Sequence, residues 1–404
     1  MIQYAGLNQA LLPFDDMPVL TPSRSIVKQP ASVTPRPSTI MEFFAGIGLV
    51  RYAFEKEGWL VKFANDIDPA KRKIYDLNFH GADFIPGDIK LIKAADLPEV
   101  TLATSSFPCT DVSLAGGRMG LKGEQSGAVL PFLDLMKQMK SKRPPLVLLE
   151  NVLGLLSSHG GSDFRFIIRE LNSLGYECDA IVVNAVHFIP QSRPRLFIFG
   201  VQNDISSPYV TTGFSAHLSK NELRPAALLD AIRNNDDLRW RFHGGLPSLP
   251  VPAKNLSDLL EQDLDDSQWW NATRTSVFIK QLSPLHANII RLLKEKSRYS
   301  YGTAYRRMRP AGIRMEVRFD GVAGCLRTPR GGSSKQVVVR CGRGSVKVRF
   351  MTPREYARLQ GVDDSYDVGD STGAALFGFG DAVCVPAIRW VAKQYANPFV
   401  VTRK

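Results

Sequence analysis

Between residue 39 and about residue 200 the apolar segments change period in turn, and few architectures tolerate that pattern. The segments "TIMEFFAG", "LVKFAND", "VTLATSS", "PLVLLENV", "ECDAIVVNA" and "RLFIFGV" read as buried strands. The segments "LVRYAFEKEGW", "PAKRKIYDLNF", "VLPFLDLMKQMKSK" and "DFRFIIRELNSLGY" carry helical spacing between them. Such alternation predicts an α/β fold with a parallel, doubly wound sheet and helices on both faces. Ligands of such sheets sit beyond the carboxyl ends of the strands. The chemistry is therefore expected where these strands end.

From about residue 205 the alternation gives way to loops, scattered aromatics and an acidic patch, "DLLEQDLDDSQ". A helix at "SPLHANIIRLLKEKS" follows. Four units are expected: a Pro- and Ser-rich tail or linker over 1–38, a first domain over 39–204, a smaller mixed domain over 205–345, and a return over 346–404. In that return, "GFGDAVCVPAIRWVAKQYA" reads as a glycine turn into an amphipathic helix that packs on the first domain. No run of about eighteen apolar residues is present, so no membrane span is expected. The first residues lack the basic start and apolar core of a signal peptide. The five cysteines, at 109, 178, 325, 341 and 384, never form C-x-x-C. That argues against a disulfide scaffold and a zinc site, and suits a reducing cytoplasm; no metal is expected.

Charge is unevenly placed. The net charge is +12, and residues 291–358 hold 18 Lys or Arg against 4 Asp or Glu. One segment thus carries the whole excess. A solvated basic face would be the plainer explanation, but Tyr299, Tyr301, Tyr305 and Phe319 are interleaved with it, which points to nucleic acid.

The strand ends carry the motifs. In "MEFFAGIGLVR", Gly46 and Gly48 lie between a strand and a helix, and Asp66 ends the next strand about twenty residues on. Glycines allow close backbone approach, and a carboxylate binds ribose hydroxyls. Arg51 stands where a dinucleotide site needs a third glycine, so a cofactor without pyrophosphate fits better; S-adenosylmethionine is one. Asp88, in "PGDIKLI", is placed to receive an adenine amino group. Cys109 and Glu150 come after two further strands, at the same edge. A lone cysteine is commonly an inert buried hydrophobe. A carboxylate behind an apolar run is commonly a helix N-terminal group, but it also suits a proton donor. A thiol and an acid beside a methyl donor suggest methylation of a pyrimidine at C5, because a thiolate added at C6 makes C5 nucleophilic. In "PQSRPRLFIFG", Gln191, Arg193 and Arg195 share one strand face, as a salt-bridged strand start or as donors to a phosphate or a base carbonyl.

Together these residues resemble the DNA (cytosine-5)-methyltransferase family, over about 40–200 and again over about 318–395. The blocks "FFAGIG", "NDID", "GDI", "FPC", "ENV", "QSRPR", "TPREYARLQG" and "GDAVCVP" stand in the family's order. The resemblance implies a Rossmann-like S-adenosylmethionine-dependent core with a smaller target-recognition domain, and DNA in the cleft between them. It implies that Cys109 attacks C6 of a flipped-out cytosine, that Glu150 meets N3 and the amino group, and that Arg195 binds the base carbonyl. Arg193 would join this catalytic group, and Gln191 would shape the pocket or meet phosphate. Phe44, Ala45, Gly46, Ile47 and Gly48 would line the methionine end of the cofactor. Asp66 would hold the ribose, Ile67 would pack on adenine, and Asp88 with Ile89 would receive its amino edge. Pro108, Asp381, Ala382 and Val383 would complete that pocket. Residues Thr110 to Gly127 would form a lid, with Ser113 reaching the nucleic acid. Arg306, Arg307, Arg309 and Arg327 are candidate DNA contacts, as are Trp240, Arg241, Trp269 and Trp270.

Four positions depart from the family's frequent residues: Glu42 for Asp, Leu49 for Gly, Thr110 for Gln and Asp381 for Asn. The implied partner is double-stranded DNA, approached by a monomer; a separately acting restriction endonuclease is compatible, and so is an unpaired regulatory enzyme. Two other readings are kept: a tRNA cytosine-5 methyltransferase on the same core, and a non-catalytic DNA-binding specificity protein. The presence of Cys109, Glu150 and Arg195 speaks against the second.

Overall fold

The structure, a computed structural model, describes residues 36–80, 83–108, 127, 129–205, 219–262, 264–309, 312–329 and 335–401. A short strand β1 (Arg36–Pro37) leads into β2 (Thr39–Phe43), α1 (Leu49–Glu55), β3 (Leu60–Asp66), α2 (Pro69–Phe79), β4 (Phe84–Pro86) and β5 (Leu102–Ser105). Then come α3 (Val129–Gln138), β6 (Leu146–Asn151), α4 (Ser162–Ser173), β7 (Tyr176–Asn184) and β8 (Pro194–Gln202). Local chemistry explains several of these starts. Asp68 accepts from the amides of Ala70 and Lys71, and Pro69 occupies the first turn of α2.

The seven strands from β2 to β8 form one sheet in the order β4-β3-β2-β5-β6-β8-β7. All six residues of β6 are buried, as a strand covered on both faces requires. Leu146 and Leu148 join the layer built with Val50 and Phe54 of α1. Val147 and Leu149 join the opposite layer with Phe132 of α3 and Phe164 of α4. Full burial of each such side chain is worth about 1.5–3 kcal/mol.

One strand departs from the expected parallel sheet. β8 runs antiparallel to both β6 and β7. A parallel return needs a crossover of roughly a dozen residues or more, and the link 185–193 is shorter. β8 therefore turns straight back and inserts beside β6. Its first residues consequently lie at the carboxyl edge of the other strands: Leu196 pairs with Asn151, and Pro194 with Asn184.

The chain continues through α5 (Ala226–Arg233), α6 (Leu256–Leu259), α7 (Ala272–Lys280), α8 (Pro284–Lys294), β9 (Ser300–Arg309), β10 (Gly312–Arg318), β11 (Val337–Gly342) and β12 (Ser345–Phe350). These last four strands form an antiparallel sheet in the order β10-β9-β11-β12. Its own core unites Phe278 of α7 and Ile290 of α8 with Ala304, Met315, Val337, Val339 and Val348. Val338, pointing the other way, joins the core of the large domain.

The second unit was expected to start at residue 205, but its core begins with Trp270 and Phe278. Leu223, Leu249, Leu256, Leu259 and Leu260 belong to one large-domain layer, and Leu228, Leu229, Ile232 and Phe242 to the other. A buried carboxylate helps hold that segment. Asp179 of β7 accepts two bonds from Arg224, at 2.8 and 2.9 Å, one from the His243 amide and one from the Tyr395 hydroxyl. The small sheet also extends past the expected limit at 345, since β12 runs to Phe350.

The chain then returns through α9 (Pro353–Gln360), α10 (Thr372–Asp381), α11 (Val385–Val391) and β13 (Val400–Val401). α11 packs on the large domain, where Val385, Ile388 and Val391 share the α1 layer. The stretch Thr372–Phe399 is long and apolar enough to cross a membrane by length and composition, but 67% of its most apolar window is buried within the protein. β13 pairs with β1 and brings residues 36–37 beside 400–401.

The junction from β12 to α9 depends on one ion pair. Arg349 and Glu355 have side chains 1% and 0% exposed, joined by bonds of 2.5 and 2.7 Å. Glu355 also closes a capping box with Thr352. Glu355→Ala would leave a buried guanidinium unmatched and is expected to cost about 3–5 kcal/mol in urea unfolding. A loss below about 1 kcal/mol would show that the guanidinium escapes to water.

Candidate active site

The carboxyl ends of β2, β3, β5 and β6 and the start of β8 meet at one edge. Two clusters of side chains lie there. The first surrounds the turn after β2. Phe44 and Gly46 have φ of 59° and 58°, in the left-handed region. The Gly46 amide donates to Asp66 Oδ2 at 2.8 Å, and the Asp68 amide to Asp66 Oδ1 at 2.9 Å. Gly48 has φ 84°, and a Cβ there would lie 2.4 Å from the Phe79 ring, so glycine is required on two grounds. Tyr366 donates its hydroxyl to the Ile47 carbonyl and braces the turn from the C-terminal return.

This turn suits S-adenosylmethionine. Each Asp66 oxygen accepts one backbone bond, and a carboxylate has about four acceptor sites, so capacity remains for ribose hydroxyls. Ile67, next to it, is 67% exposed, an apolar surface for a purine ring. Asn65 bonds the carbonyls of Ile85 and Gly87 and so positions the loop before Asp88. Asp88 accepts from the Lys90 amide, and Ile89 is buried. Asp381, at the end of α10, pairs with Lys71 at 2.7 Å. Ala382 follows it as the helix cap, and Val383 is buried.

Below the turn lies Glu42, 1% exposed, with its Oε2 atom lacking a hydrogen-bond partner among the described residues. Burial pushes its carboxyl well above the ordinary value, against the pull of the Arg51 charge, and the Asp66 charge adds to the rise.

The second cluster is built on β6 and β8. Glu150 Oε1 lies 3.0 Å from Arg195 Nε, with side chains 11% and 15% exposed. Asn151 donates to the Phe107 carbonyl at 3.1 Å and so fixes the backbone leading to Pro108. Arg193, expected among the catalytic groups, is 2% exposed and donates to the carbonyls of Leu326, Gly380, Asp381 and Ala382. Gln191, expected at the pocket or at phosphate, is fully buried and bonds the Leu359 carbonyl and the Leu326 amide. These contacts suit a framework, and they leave Gln191 no surface for nucleic acid.

Cys325 also stands in this cluster, with its sulfur 3.4 Å from Arg193 and 3.9 Å from Arg195. Burial pushes its thiol up, but Arg193, Arg195 and Arg327 outweigh it and hold the thiol below its ordinary value. Neither Cys325 nor Lys71 was legible as a site residue, because each meets the site through a partner far away in sequence. Asn151 lay within the quoted "ENV" block, and its bond to Phe107 needed the fold to appear.

Cys109, Ser113 and residues 110–126 of the expected lid lie outside the described residues, as does most of the N-terminal tail. Among the candidate DNA contacts, Arg306 and Arg327 are exposed. Arg307 pairs with Glu316 at 2.9 Å, and Arg309 ends β9. Trp240 is structural: it stacks on Phe242 and donates to the Asn235 carbonyl. Arg241 pairs with Glu177 at 2.5 Å. Trp270 packs against the small core, and Trp269 lies under Arg340 and Arg349.

The family model for C-5 cytosine-specific DNA methylases matches residues 38–397. Relatives include the Type II methyltransferase M.Bsp6I of Bacillus sp. (strain RFL6), 27% identical, covering 88% of this chain and 97% of that one. Another is the Type II methyltransferase M.NgoBI of Neisseria gonorrhoeae, 28% identical, covering 87% and 91%. Among solved structures, the S. pombe Dnmt2 methyltransferase is similar in fold, with TM-score 0.59 and 17% identity over 90% of this chain and 99% of that one.

Glu42 sets a pH test. A carboxyl whose folded pKa is raised contributes stability that is fully present below its ordinary 4.5 and is lost as pH rises through the folded value. Glu42→Gln keeps the neutral shape and cannot ionise. The wild type is therefore expected to lose stability relative to Glu42→Gln as pH rises from about 5 to 8 in denaturant titrations. A difference independent of pH would refute the assignment.

Proposed function

The chain belongs to the C-5 cytosine-specific DNA methylase family, and on that premise we propose that it methylates C5 of a flipped-out cytosine in duplex DNA through a covalent adduct with Cys109. It is a DNA (cytosine-5)-methyltransferase by membership. The relatives named as Type II methyltransferases support a place in restriction-modification, with any endonuclease acting as a separate protein. The observation that carries the mechanism is the Glu150–Arg195 pair, set beside the backbone that Asn151 holds ahead of Cys109.

When bound, S-adenosylmethionine supplies an electrophilic methyl group. Asp66 would hold its ribose, Ile67 its adenine, and the turn from Phe44 to Gly48 its amino-acid end. The rest of the chemistry belongs to the chain. The Cys109 thiolate adds to C6 of the cytosine. The displaced π electrons move to N3, which takes a proton from Glu150, and Arg195 holds the base carbonyl. C5 is then an enamine carbon and nucleophilic. After alkylation, loss of the C5 proton to solvent water expels the thiolate, and N3 returns its proton to Glu150, which restores the neutral ring. Glu150 and Arg195 are mostly buried, which supports a base that leaves its duplex stack to reach them. Arg306, Arg309 and Arg327 are proposed as DNA contacts, and Arg193 and Gln191 as the frame that positions Arg195.

The test is methyl transfer from labelled S-adenosylmethionine to unmethylated genomic DNA and, separately, to total tRNA. Label is expected in DNA as 5-methylcytosine, and none with Cys109→Ser. Glu150→Gln is expected to lower kcat about 10²–10⁴-fold. DNA carrying 5-fluorocytosine at the target should trap a covalent complex that needs Cys109, because fluorine cannot leave as a proton. Label in tRNA alone would move the chain to an RNA substrate, and transfer without a trappable adduct would remove the covalent step.

A further inference from the structure

Arg274 lies outside the basic segment 291–358, yet the fold brings it to the same domain. It stands in the first turn of α7 and is exposed. Its Cζ lies 4.1 Å from the centre of the Trp270 ring and 4.9 Å from that of Phe350. Lys335 reaches Phe350 as well, its Nζ 5.4 Å from the ring centre. Among the described residues, no carboxylate pairs with either cation. A cavity of about 640 Å³ opens here, with Trp269, Trp270, Arg274 and Phe350 on its wall. The single carboxylate on that wall among the described residues, Asp266, is paired with Lys347. The charge of Arg274 is thus left unbalanced.

An aromatic wall suits a stacked base, but these rings are already taken. Arg274 covers Trp270, and Arg340 and Arg349 lie 4.7 and 5.1 Å from the Trp269 ring centre. The rings serve as seats for cations, and the ligand chemistry that remains is that of an anion. A guanidinium held on rings gives up little freedom when it meets phosphate oxygens. Position selects the source of the phosphate. Phe350 pairs with Val337 across β11 and β12. Gln336, one residue earlier, donates to the Cys325 carbonyl at 3.3 Å, and the Cys325 sulfur lies 3.9 Å from Arg195. One strand end thus joins the cationic wall to the base-binding arginine. A duplex that delivers a cytosine to Arg195 continues on either side of it, with one backbone charge about every 1.7 Å of axis.

We propose that Arg274 and Lys335, seated on Trp270 and Phe350, hold a backbone phosphate of the DNA that flanks the methylated site on one side, outside the base pairs read for specificity. The proposal rests on the methyltransferase reading. Contacts of this kind fix register and orientation and carry no sequence information.

The experiment is equilibrium binding, with S-adenosylhomocysteine present, of duplexes centred on the cytosine that the enzyme methylates and lengthened pair by pair on each side in turn. The wild type is expected to gain affinity in one step, at one flank length on one side. Arg274→Gln should lose that step and bind the longer duplexes about tenfold more weakly, the scale of one charged contact. Its slope of log Kd against log salt concentration should fall by about 0.9 for each phosphate released. Arg274→Lys keeps the charge and should keep most of the slope. The loss should be the same for A·T-rich and G·C-rich flanks. Should Arg274→Gln fail to fold, Lys335→Gln carries the same expectation. Equal weakening at every length, the shortest included, would show that Arg274 only braces the small domain and would overturn the inference. Variants that match the wild type at every length would overturn it too, as would a loss that changes with flank sequence. A wild type that binds no duplex would overturn the functional reading and this inference together. A wild type that binds without a flank step would overturn the inference alone.

Discussion

A single buried cation, Arg193, holds together the parts of this protein that meet at the active edge. At 2% exposure its guanidinium has little water, so carbonyl dipoles must stabilise its charge. Those dipoles come from Leu326, next to the small domain, and from Gly380, Asp381 and Ala382, in the C-terminal return. Segments remote in sequence are thus drawn to the start of β8. Arg195, two residues on, is presented to Glu150 on the neighbouring strand. Gln191, two residues earlier, adds the backbone of Leu359 and Leu326.

That convergence depends on the reversal of β8. In an all-parallel sheet the residues opening this strand would lie at the opposite edge from Glu150. The short link from β7 forces an antiparallel return, and the return delivers three polar side chains to the edge where the parallel strands end. The glycine turn after β2 and the Glu150–Arg195 pair then share one rim.

The small domain shows why a count of charge overstates a binding surface. Of the basic residues in segment 291–358, Arg349 is sealed against Glu355, Arg358 pairs with Asp364, Arg318 with Asp320 and Lys347 with Asp266. Arg340 and Arg343 lie over the Tyr299 ring. These charges build the domain and join it to the return. Arg306 and Arg327 stay exposed. Likewise Trp240 and Trp270 follow the commoner fate of large aromatics and pack into cores.

The sequence by itself determined the elements of the large domain, because burial on both faces writes apolar runs for strands and a 3.6-residue period for helices. It also determined the positions of Asp66, Glu150 and the glycine turn, since strand ends and positive φ leave local marks. Tertiary structure decided what local patterns do not encode. It set the direction of β8, which depends on a loop too short to cross the sheet. It assigned residues 219–262 to the large cores, because leucines carry no label for the core they join. It drew Gln191 and Arg193 inward, although their period-two spacing suited an exposed face equally well. It paired Lys71 with Asp381 across 310 residues, where only the folded chain brings the two charges within 2.7 Å.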